Sequence, residues 1–248
     1  MNFEGPKLDV VAYVPARRGS VRVAVKNLRV LGDRPLLHYV LNTLKNVKNL
    51  DRAYVNTESS EIASSAQGLC DIYIRPAELA TSSTKTDEIL YDFAKNVPSR
   101  SVAVVNPTAP FLSETTIERA VNLHLERNRE TIFTTTLQRK HLIYGGQPVN
   151  FPINTLSPRT QELKPFEYIN FIIFVIDSQR LIKNYEEKGF CLYEAPLNFM
   201  PMDGIECHDI DDEIDFQIAE ALIERNKRSI EYDKSIDALM QAGANFAN

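Results

Sequence analysis

The sequence contains few cysteines, no long apolar run and no excess of positive charge. Its three cysteines, Cys70, Cys191 and Cys207, are odd in number and far apart, which excludes a disulfide framework and a zinc site of ordinary ligand spacing. Such thiols favour a reducing compartment. Because residues 1–7 are polar and do not resemble a signal peptide, we expect a cytoplasmic protein.

The charge and hydropathy also restrict the partners. No apolar run approaches the ~18 residues of a membrane span, so we expect no membrane partner. The net charge of −5 argues against general nucleic-acid binding. The chain also lacks a Walker loop, a dinucleotide-binding glycine fingerprint and a Ser-His-Asp arrangement. Its histidines do not cluster, and His208 is interpreted as a histidine at the end of a strand.

The sequence does contain an alternation of strand and helix signals. The apolar fraction of 44% is enough for a substantial core, and the length suits one domain over residues 1–248. The alternation predicts an α/β fold with a mostly parallel central sheet flanked by helices. Strands are predicted at residues 10–14, 53–56, 71–74, 101–105, 131–136, 168–176 and 191–198, and helices near residues 36–44, 60–67, 86–96, 114–125 and 212–225.

The last predicted helix has the clearest boundary signal. Asp212 is a natural N-cap, and Ile214, Ile218 and Leu222 recur at the spacing of one helix face. Beyond it, residues 226–248 form a polar tail with a weak helix signal.

One long segment breaks the alternation. Residues 139–165 contain Gly145-Gly146, four prolines and few apolar clusters, which predicts a protruding irregular arm. A loop of this length in a compact domain is usually functional or an interface element.

The most informative segment is a basic loop that follows the first predicted strand. It contains Arg17, Arg18, Arg22 and Lys26 beside Gly19 and Ser20. In an open α/β sheet, ligands bind at the carboxyl ends of the strands. Guanidinium groups, an ammonium and exposed backbone N–H groups suit a polyanion. The loop therefore predicts a site for a nucleoside triphosphate.

An acidic segment, HDIDDEIDF, follows near the end of the chain. Asp209 and Asp211 are two residues apart, so on an extended segment their side chains share a face. Two carboxylates with room for water and phosphate oxygens are what Mg²⁺ prefers. The alternative is that acidic residues before a helix only complement its dipole.

Two further segments stand at predicted loops. NPTAPF, from Asn106, follows a buried strand, and RPAELATSSTKTDE, from Arg75, holds small residues that can offer backbone groups to a flat base. Each has a plain alternative, a strand-to-helix turn for the first and a solvated loop with a capped helix for the second.

Taken in order, these segments resemble the acylneuraminate (CMP-sialic acid) cytidylyltransferase family, and the first motif is similar to that of the 3-deoxy-manno-octulosonate cytidylyltransferases. The family opens with P-A-R-x-G-S-x-R/K and K-N, and the matching residues here are Pro15, Ala16, Arg17, Gly19, Ser20, Arg22, Lys26 and Asn27. Its middle motifs resemble Thr57 to Ile62, Arg75 to Thr86, Val105 to Leu112 and Arg159 to Val175. Its closing D-I-D matches Asp209, Ile210 and Asp211.

The resemblance implies a nucleotide-diphospho-sugar transferase fold and the joining of CTP to an acidic 2-keto sugar, with Mg²⁺ as cofactor and pyrophosphate as product. It implies triphosphate contacts from Arg17, Ser20, Arg22, Lys26 and Asn27, and a cytosine site framed by Arg75, Ala80 and Ser82. It assigns the sugar to Asn106, Arg159, Gln161 and Asn170, and the metal to Asp209 and Asp211. The residues expected to act in catalysis are Arg17, Arg22, Lys26 and Asp211. The family is usually dimeric, so the arm is expected at a homodimer interface.

This chain departs from the family mostly in the sugar half. Asn106 replaces a Gln, Phe171 replaces a Gly, Leu112 replaces an Arg and Ala24 replaces a Pro. Two alternatives therefore stay open: a nucleotidyltransferase for a different acceptor, and a non-catalytic nucleotide-binding homologue.

Overall fold

The structure, a computed structural model, describes residues 8–19, 23 and 25–225. Its strands are β1 Leu8–Pro15, β2 Val30–Leu31, β3 Arg34–Pro35, β4 Arg52–Thr57, β5 Asp71–Ile74, β6 Ser99–Val105, β7 Thr131–Gln138, β8 Ile143–Tyr144, β9 Gln147–Pro148, β10 Phe166–Asp177 and β11 Leu197–Met202. Its helices are α1 Leu36–Leu44, α2 Ser60–Ala66, α3 Thr86–Asn96, α4 Glu114–Glu126, α5 Ser178–Lys188 and α6 Glu213–Arg225.

Seven strands form one central sheet in the order β11-β7-β10-β6-β1-β4-β5. The pairings β6–β1, β1–β4, β4–β5 and β11–β7 are parallel, and β10 runs antiparallel to both of its neighbours. The predicted mostly parallel sheet flanked by helices is confirmed. Parallel pairing also puts the carboxyl ends of β1, β4, β5 and β6 at one edge.

Both faces of the sheet are buried, as the continuous apolar run of β1 predicts. Val10, Ala12 and Val14 pack on one side with α1, α2 and α4. Val11 and Tyr13 pack on the other side with α3 and α5. Because successive strand residues point to opposite faces, a single strand joins the two halves of the core. The sheet is therefore a rigid base for the loops at its carboxyl edge.

Helix caps fix where several elements begin. The Ser113 hydroxyl accepts a hydrogen bond from Thr116 N (3.3 Å), and Asp212 Oδ1 accepts from Ile214 N (2.9 Å) and Asp215 N (3.1 Å). These caps satisfy backbone donors that a helix start leaves free. The cap predicted at Asp212 is confirmed.

The buried face of α6 differs from the prediction. Ile214 is 66% exposed and Ile218 is 44% exposed, whereas Phe216 and Ala219 are fully buried. Phe216 packs with Leu31, Leu36 and Ile210 in a separate small cluster beneath α6. Helix α6 therefore has two apolar stripes. The stripe with Phe216 and Ala219 is buried by tertiary contacts, whereas the sequence spacing predicted the stripe with Ile214 and Ile218.

Two elements near the end of the chain were misplaced or missed. The last strand, predicted at residues 191–198, is instead β11, at the edge of the sheet. Pro201 has no backbone N–H to donate, and an edge strand tolerates this because no further strand pairs with its outer side. Helix α5 was not predicted. Asp177 caps it by accepting from Arg180 N (2.8 Å), and Gly189 ends it at a φ of 78°.

The predicted arm is more ordered than an irregular loop. Strands β8 and β9 form a hairpin whose turn is Gly145-Gly146, and both glycines have positive φ, which two-residue hairpins favour. The Asn150 amide donates to Lys140 O (2.8 Å) and Lys164 O (3.0 Å), which ties the two ends of the arm together. The tail predicted at residues 226–248 lies outside the described residues.

Within the described part of the chain, no helix combines the length and apolarity that crossing a membrane would require.

Candidate active site

A cleft with two lobes opens at the carboxyl edge of the sheet. The first lobe has a cavity volume of about 530 Å³ and is lined by residues that include Lys26, Asn27, Thr108, Asp209 and Asp211. The second lobe has a volume of about 470 Å³ and is lined by residues that include Arg75, Leu79, Ser82, Phe171 and Phe174. Both lobes are lined by Pro15, Arg17, Thr86 and Asn106, so we describe them as one continuous cleft.

Lys26 joins the basic loop to the acidic segment. It opens a single 3-10 turn, Lys26–Leu28, after Val25, which has a φ of 50°. Its ammonium donates to the Ile210 carbonyl and lies 3.8 Å from Asp211 Oδ1. The Lys26 side chain is only 15% exposed. The first lobe therefore has a positive group fixed beside a carboxylate rather than free in solvent.

Two other residues of the basic loop also line the first lobe. Arg17 Nη1 donates to Thr81 O (3.3 Å), which connects the basic loop to the loop after β5. The Asn27 amide donates to Arg17 O (3.1 Å). Asn27 Oδ1 is buried and has no hydrogen-bond partner among the described residues. A buried acceptor without a partner is costly, so this oxygen is suited to a ligand or water donor in the cleft.

Asp209 and Asp211 both line the first lobe, as their spacing predicts. The Thr108 hydroxyl lies within hydrogen-bond distance of Asp209 Oδ1 and 2.7 Å from Asn106 Oδ1. Burial raises the pKa of the Asp209 carboxyl; the Thr108 hydrogen bond opposes this rise, and the charge of Asp211 adds to it. The pair is thus a place where additional positive charge is electrostatically favoured.

The second lobe contains a guanidinium that is almost fully buried. Arg75 is 5% exposed, and its Nη2 donates to Asn56 O (3.0 Å). Its Nε lies 3.5 Å from Glu58 Oε2, and Glu58 Oε1 accepts from Arg18 N (2.8 Å). Glu58 therefore holds the start of the basic loop and the Arg75 side chain at the same time.

A comparison with known families decides the class of protein. A profile described as Cytidylyltransferase matches residues 11–152, more than half of the chain. The chain belongs to the cytidylyltransferase family. The matched range includes the basic loop, Arg75 and Asn106.

Similar curated proteins extend over most of this cytidylyltransferase. The chain is 27% identical over 238 residues to CMP-N,N'-diacetyllegionaminic acid synthase of Legionella pneumophila, covering 90% of this chain and 100% of that protein. It is 25% identical to an N-acylneuraminate cytidylyltransferase of Escherichia coli, covering 90% of this chain and 54% of that one. The chain thus spans about half the length of the latter.

Solved structures share the fold at low sequence identity. The CMP:2-keto-3-deoxy-manno-octonic acid synthetase complexed with CTP superposes with a TM-score of 0.68 at 12% identity, covering 88% of this chain and 99% of that one. The 4-diphosphocytidyl-2C-methyl-D-erythritol synthase of Anaerococcus prevotii gives a TM-score of 0.61 at 16% identity, covering 88% and 96%. At such identities the likeness shows the common fold alone.

The structure brings most of the predicted site residues of this cytidylyltransferase together. Those that line the cleft are Arg17, Lys26, Asn27, Arg75, Ser82, Asn106, Asp209 and Asp211. Ala80 is placed in the 3-10 turn Ala77–Ala80 and is not among the lining residues, whereas its neighbours Leu79 and Thr81 are. Ser20 and Arg22 lie outside the described residues. The assigned roles stay predictions.

Three residues predicted to face the sugar do not line the cleft of a single chain. Arg159 and Gln161 are on the arm, and the Arg159 side chain, 79% exposed, pairs with Glu162 (2.6 Å). The Asn170 amide is occupied locally: its Oδ1 lies 2.6 Å from the Thr134 hydroxyl, and its Nδ2 donates to Thr136 Oγ1 (3.1 Å). In this cytidylyltransferase Asn170 therefore shapes the backbone beside the cleft.

Sequence reasoning missed some residues that organise the cleft. Thr108 bridges Asn106 and Asp209, and Glu58 bridges the basic loop and Arg75. Glu58 directly follows β4 and Thr108 lies three residues after β6, and the carboxyl ends of both strands form the site edge, so the positions of these residues in the chain were an available signal. Thr108 and Glu58 were quoted only as parts of motifs, because the sequence does not show which loops meet.

Proposed function

We propose that this cytidylyltransferase transfers CMP from CTP to the anomeric hydroxyl of a sialic-acid-like 2-keto acid sugar and releases pyrophosphate. The observation that best supports this is the cleft in which Lys26 and Arg17 lie beside Asp209 and Asp211. The names of the Legionella and Escherichia coli relatives favour an acidic nine-carbon acceptor over other acceptors. We also propose that it acts in the cytoplasm, without nucleic acid or membrane as partner.

The first lobe suits the triphosphate. Lys26 supplies a compact positive charge, and the Arg17 guanidinium can donate to two phosphate oxygens at once. Asn27 lies in the same wall with its buried Oδ1. We assign Ser20 and Arg22 to the same task on the resemblance of the motif alone. These groups stabilise the negative charge that develops as pyrophosphate leaves.

The second lobe suits the base at its Arg75 end. A guanidinium has five N–H donors. That of Arg75 donates to Asn56 O and has its Nε beside Glu58, which leaves other donors for a ligand. Cytosine presents a carbonyl oxygen and a ring nitrogen as acceptors, which such a fork can meet. Ser82 and Thr81 line the same lobe with small polar side chains, so the base has donors and acceptors on two sides.

The residues present also fit Mg²⁺. Two carboxylates line one lobe, and burial, together with the Asp211 charge, raises the pKa of Asp209, so a cation bound there would relieve an electrostatic conflict. Within the described residues no group of three or more His, Cys, Asp or Glu side chains forms a metal cluster. Mg²⁺ commonly takes only one or two carboxylates besides phosphate oxygens and water. Bound there, it would neutralise charge on the phosphates.

The reaction that this arrangement supports is an in-line displacement. The anomeric oxygen of the sugar forms a bond to the α-phosphorus of CTP, and the bond between that phosphorus and the α–β bridging oxygen breaks. Pyrophosphate leaves with the electron pair, and the hydroxyl proton passes to water in the open cleft. Asn106 stands at the junction of the two lobes, where an acceptor bound in the second lobe would meet the α-phosphate.

We propose that the active form is a homodimer. The arm exposes large apolar side chains, with Tyr144 at 83% and Leu156 at 92%. Arg159 and Gln161, on the same arm, do not line the cleft of their own chain. A second copy that receives this arm would cover the apolar surface and bring both side chains to its own acceptor site.

Pyrophosphate release tests the proposed function. Purified protein is incubated with CTP, Mg²⁺ and a panel of acidic 2-keto sugars, and with a neutral aldose of similar size as the control acceptor. We expect release only with an acidic sugar. Release with another nucleotide but not with CTP, or with the neutral aldose alone, would refute it.

A further inference from the structure

The backbone is distorted at one point on the wall of the second lobe. Strand β10 pairs with β7 at Ile169↔Thr135 and again at Phe174↔Phe133, so four residues of β10 oppose one of β7. Within this bulge Phe171 has a φ of 55°. Such a conformation is a steric outlier for a bulky side chain, whereas glycine adopts it freely.

Side-chain hydrogen bonds hold the bulge in this form. Ile172 N donates to Asn170 Oδ1 (3.1 Å), and Ile173 N donates to the Thr134 hydroxyl (2.9 Å). Ile172 O in turn accepts from Asn106 N (2.9 Å). The position of Phe171 is therefore fixed relative to Asn106, the residue at the junction of the two lobes.

The Phe171 ring lines the second lobe and remains 40% exposed. Its edge contacts include Phe174, at a centroid distance of 6.2 Å and an angle of 90°, Phe133, at 5.9 Å and 80°, and Tyr193, at 6.5 Å and 78°. Leu79, Ile89 and Val104 line the same lobe. The lining of the second lobe is thus apolar in large part, and it also includes Arg75.

Packing against its neighbours accounts for only part of the Phe171 ring. Phe133 and Phe174, which the ring contacts, are 0% and 3% exposed, whereas Phe171 itself keeps 40% of its surface open. A glycine at position 171 would relax the backbone, yet the chain places a large ring there. Strained residues that persist beside a cleft are commonly part of its function, and an open aromatic face in a binding lobe is available to a ligand.

We propose that Phe171 is a specificity-determining residue that selects acceptor sugars with an apolar substituent, such as a terminal methyl, at the end remote from the anomeric carbon. This inference rests on the proposed function. A methyl group gains by contact with the ring. A hydroxyl in the same place loses its water partners and finds no polar group on the ring. The ring also narrows the lobe, which disfavours longer hydrated chains.

A matched pair of sugars tests this selection. The pair is N-acetylneuraminate and its analogue with a methyl in place of the terminal hydroxymethyl group, so the two differ by one oxygen atom. Binding of each is measured by calorimetry in the presence of CMP, where no transfer can occur, and kcat/KM is measured with CTP. We expect the wild type to prefer the methyl sugar by about tenfold. Apolar pockets that distinguish ligands differing by one small group reach ratios of this order.

Three variants separate the possible roles of the ring. Phe171→Gly fits the backbone and removes the ring, Phe171→Leu keeps an apolar wall, and Tyr193→Ala removes a ring that also contacts Phe171 but does not line the cleft. We expect the preference to fall below about threefold in Phe171→Gly and to persist in the other two. CTP affinity, measured without sugar, is expected to change by less than about twofold in all three.

Other results would overturn the inference. The first is a wild type that does not prefer the methyl sugar, and the second is a Phe171→Gly variant that keeps the wild-type preference. The third is a loss of CTP affinity in Phe171→Gly, which would show that the ring contacts the cytosine base instead of the sugar. The proposed function fails separately, if the wild type releases no pyrophosphate with either sugar. The binding preference is judged independently of that outcome.

Discussion

Replacing Lys26 by methionine removes the positive group between the two charged segments of the first lobe. The change keeps the length of the side chain and deletes a charge that lies 3.8 Å from Asp211 Oδ1. At an effective dielectric constant of about 20, that separation corresponds to about 4 kcal/mol. Because the Asp211 side chain is 50% exposed, solvent reduces the value of this pair to about 1 kcal/mol.

The same substitution should also weaken CTP binding. A charge-assisted hydrogen bond from an ammonium to phosphate contributes about 1.5–3 kcal/mol, so Lys26→Met should weaken CTP binding by about 10- to 100-fold. Calorimetric titration with CTP and Mg²⁺, with no sugar present, measures this directly. Lys48→Met is the matched control, because it removes the same charge from an exposed residue outside the cleft.

Unchanged CTP affinity in Lys26→Met would remove Lys26 from the triphosphate site. A loss of affinity of the same size in Lys48→Met would show a general effect of net charge instead. Thermal unfolding of both variants checks that the fold is retained. Lys26→Met should lose about 2 kcal/mol at most, about 1 from the pair with Asp211 and about 1 from the bond to Ile210 O.

Three further predictions concern the carboxylates and the arm. Asp209→Asn and Asp211→Asn should each lower turnover by about 10³-fold, and near-normal rates at low Mg²⁺ would exclude the metal role. Because burial raises the pKa of Asp209, its contribution to stability is greatest below its unfolded pKa and is lost as pH rises through the folded value. Asp209→Asn should therefore unfold a few degrees higher than wild type at neutral pH, with a gain that shrinks in acid, and a pH-independent difference would contradict this. The double variant Tyr144→Ser and Leu156→Ser removes the exposed apolar surface of the arm and should sediment as a monomer, whereas the wild type should sediment as a dimer. A wild type that sediments as a monomer would contradict the dimer.

Much of the sheet and its helices could be predicted, because their patterns are local. Helix α3 was predicted with the bounds that the structure has, since its apolar residues recur at helical spacing. In the structure, Glu88 caps its start by accepting from Lys85 N. Helix α5 was missed because it is mostly polar and directly follows the long strand β10. Its caps, Asp177 and Gly189, were the available signal.

The rest depended on contacts between distant segments. Periodicity detects an apolar stripe on α6 but does not tell which of two stripes meets Leu31 and Leu36. The two carboxylates were placed on one face from their spacing, yet the pairing of Asp211 with Lys26 depends on residues 185 positions apart being brought together by the fold. For Asn170, the motif indicated a side-chain amide beside the sugar. Only the structure shows that this amide hydrogen-bonds to Thr134 and Thr136 at the bulge of β10.

The most direct measurement of the central claim follows the α-phosphate of CTP. The protein is incubated with Mg²⁺, an acidic 2-keto sugar and CTP that carries a label at the α-phosphate. The products are then separated and identified by mass spectrometry. The proposed transfer predicts the label in a CMP-sugar, with unlabelled pyrophosphate formed in equal amount. Label that stays in CTP with every acidic sugar, or that is found only in free CMP, would contradict the transfer.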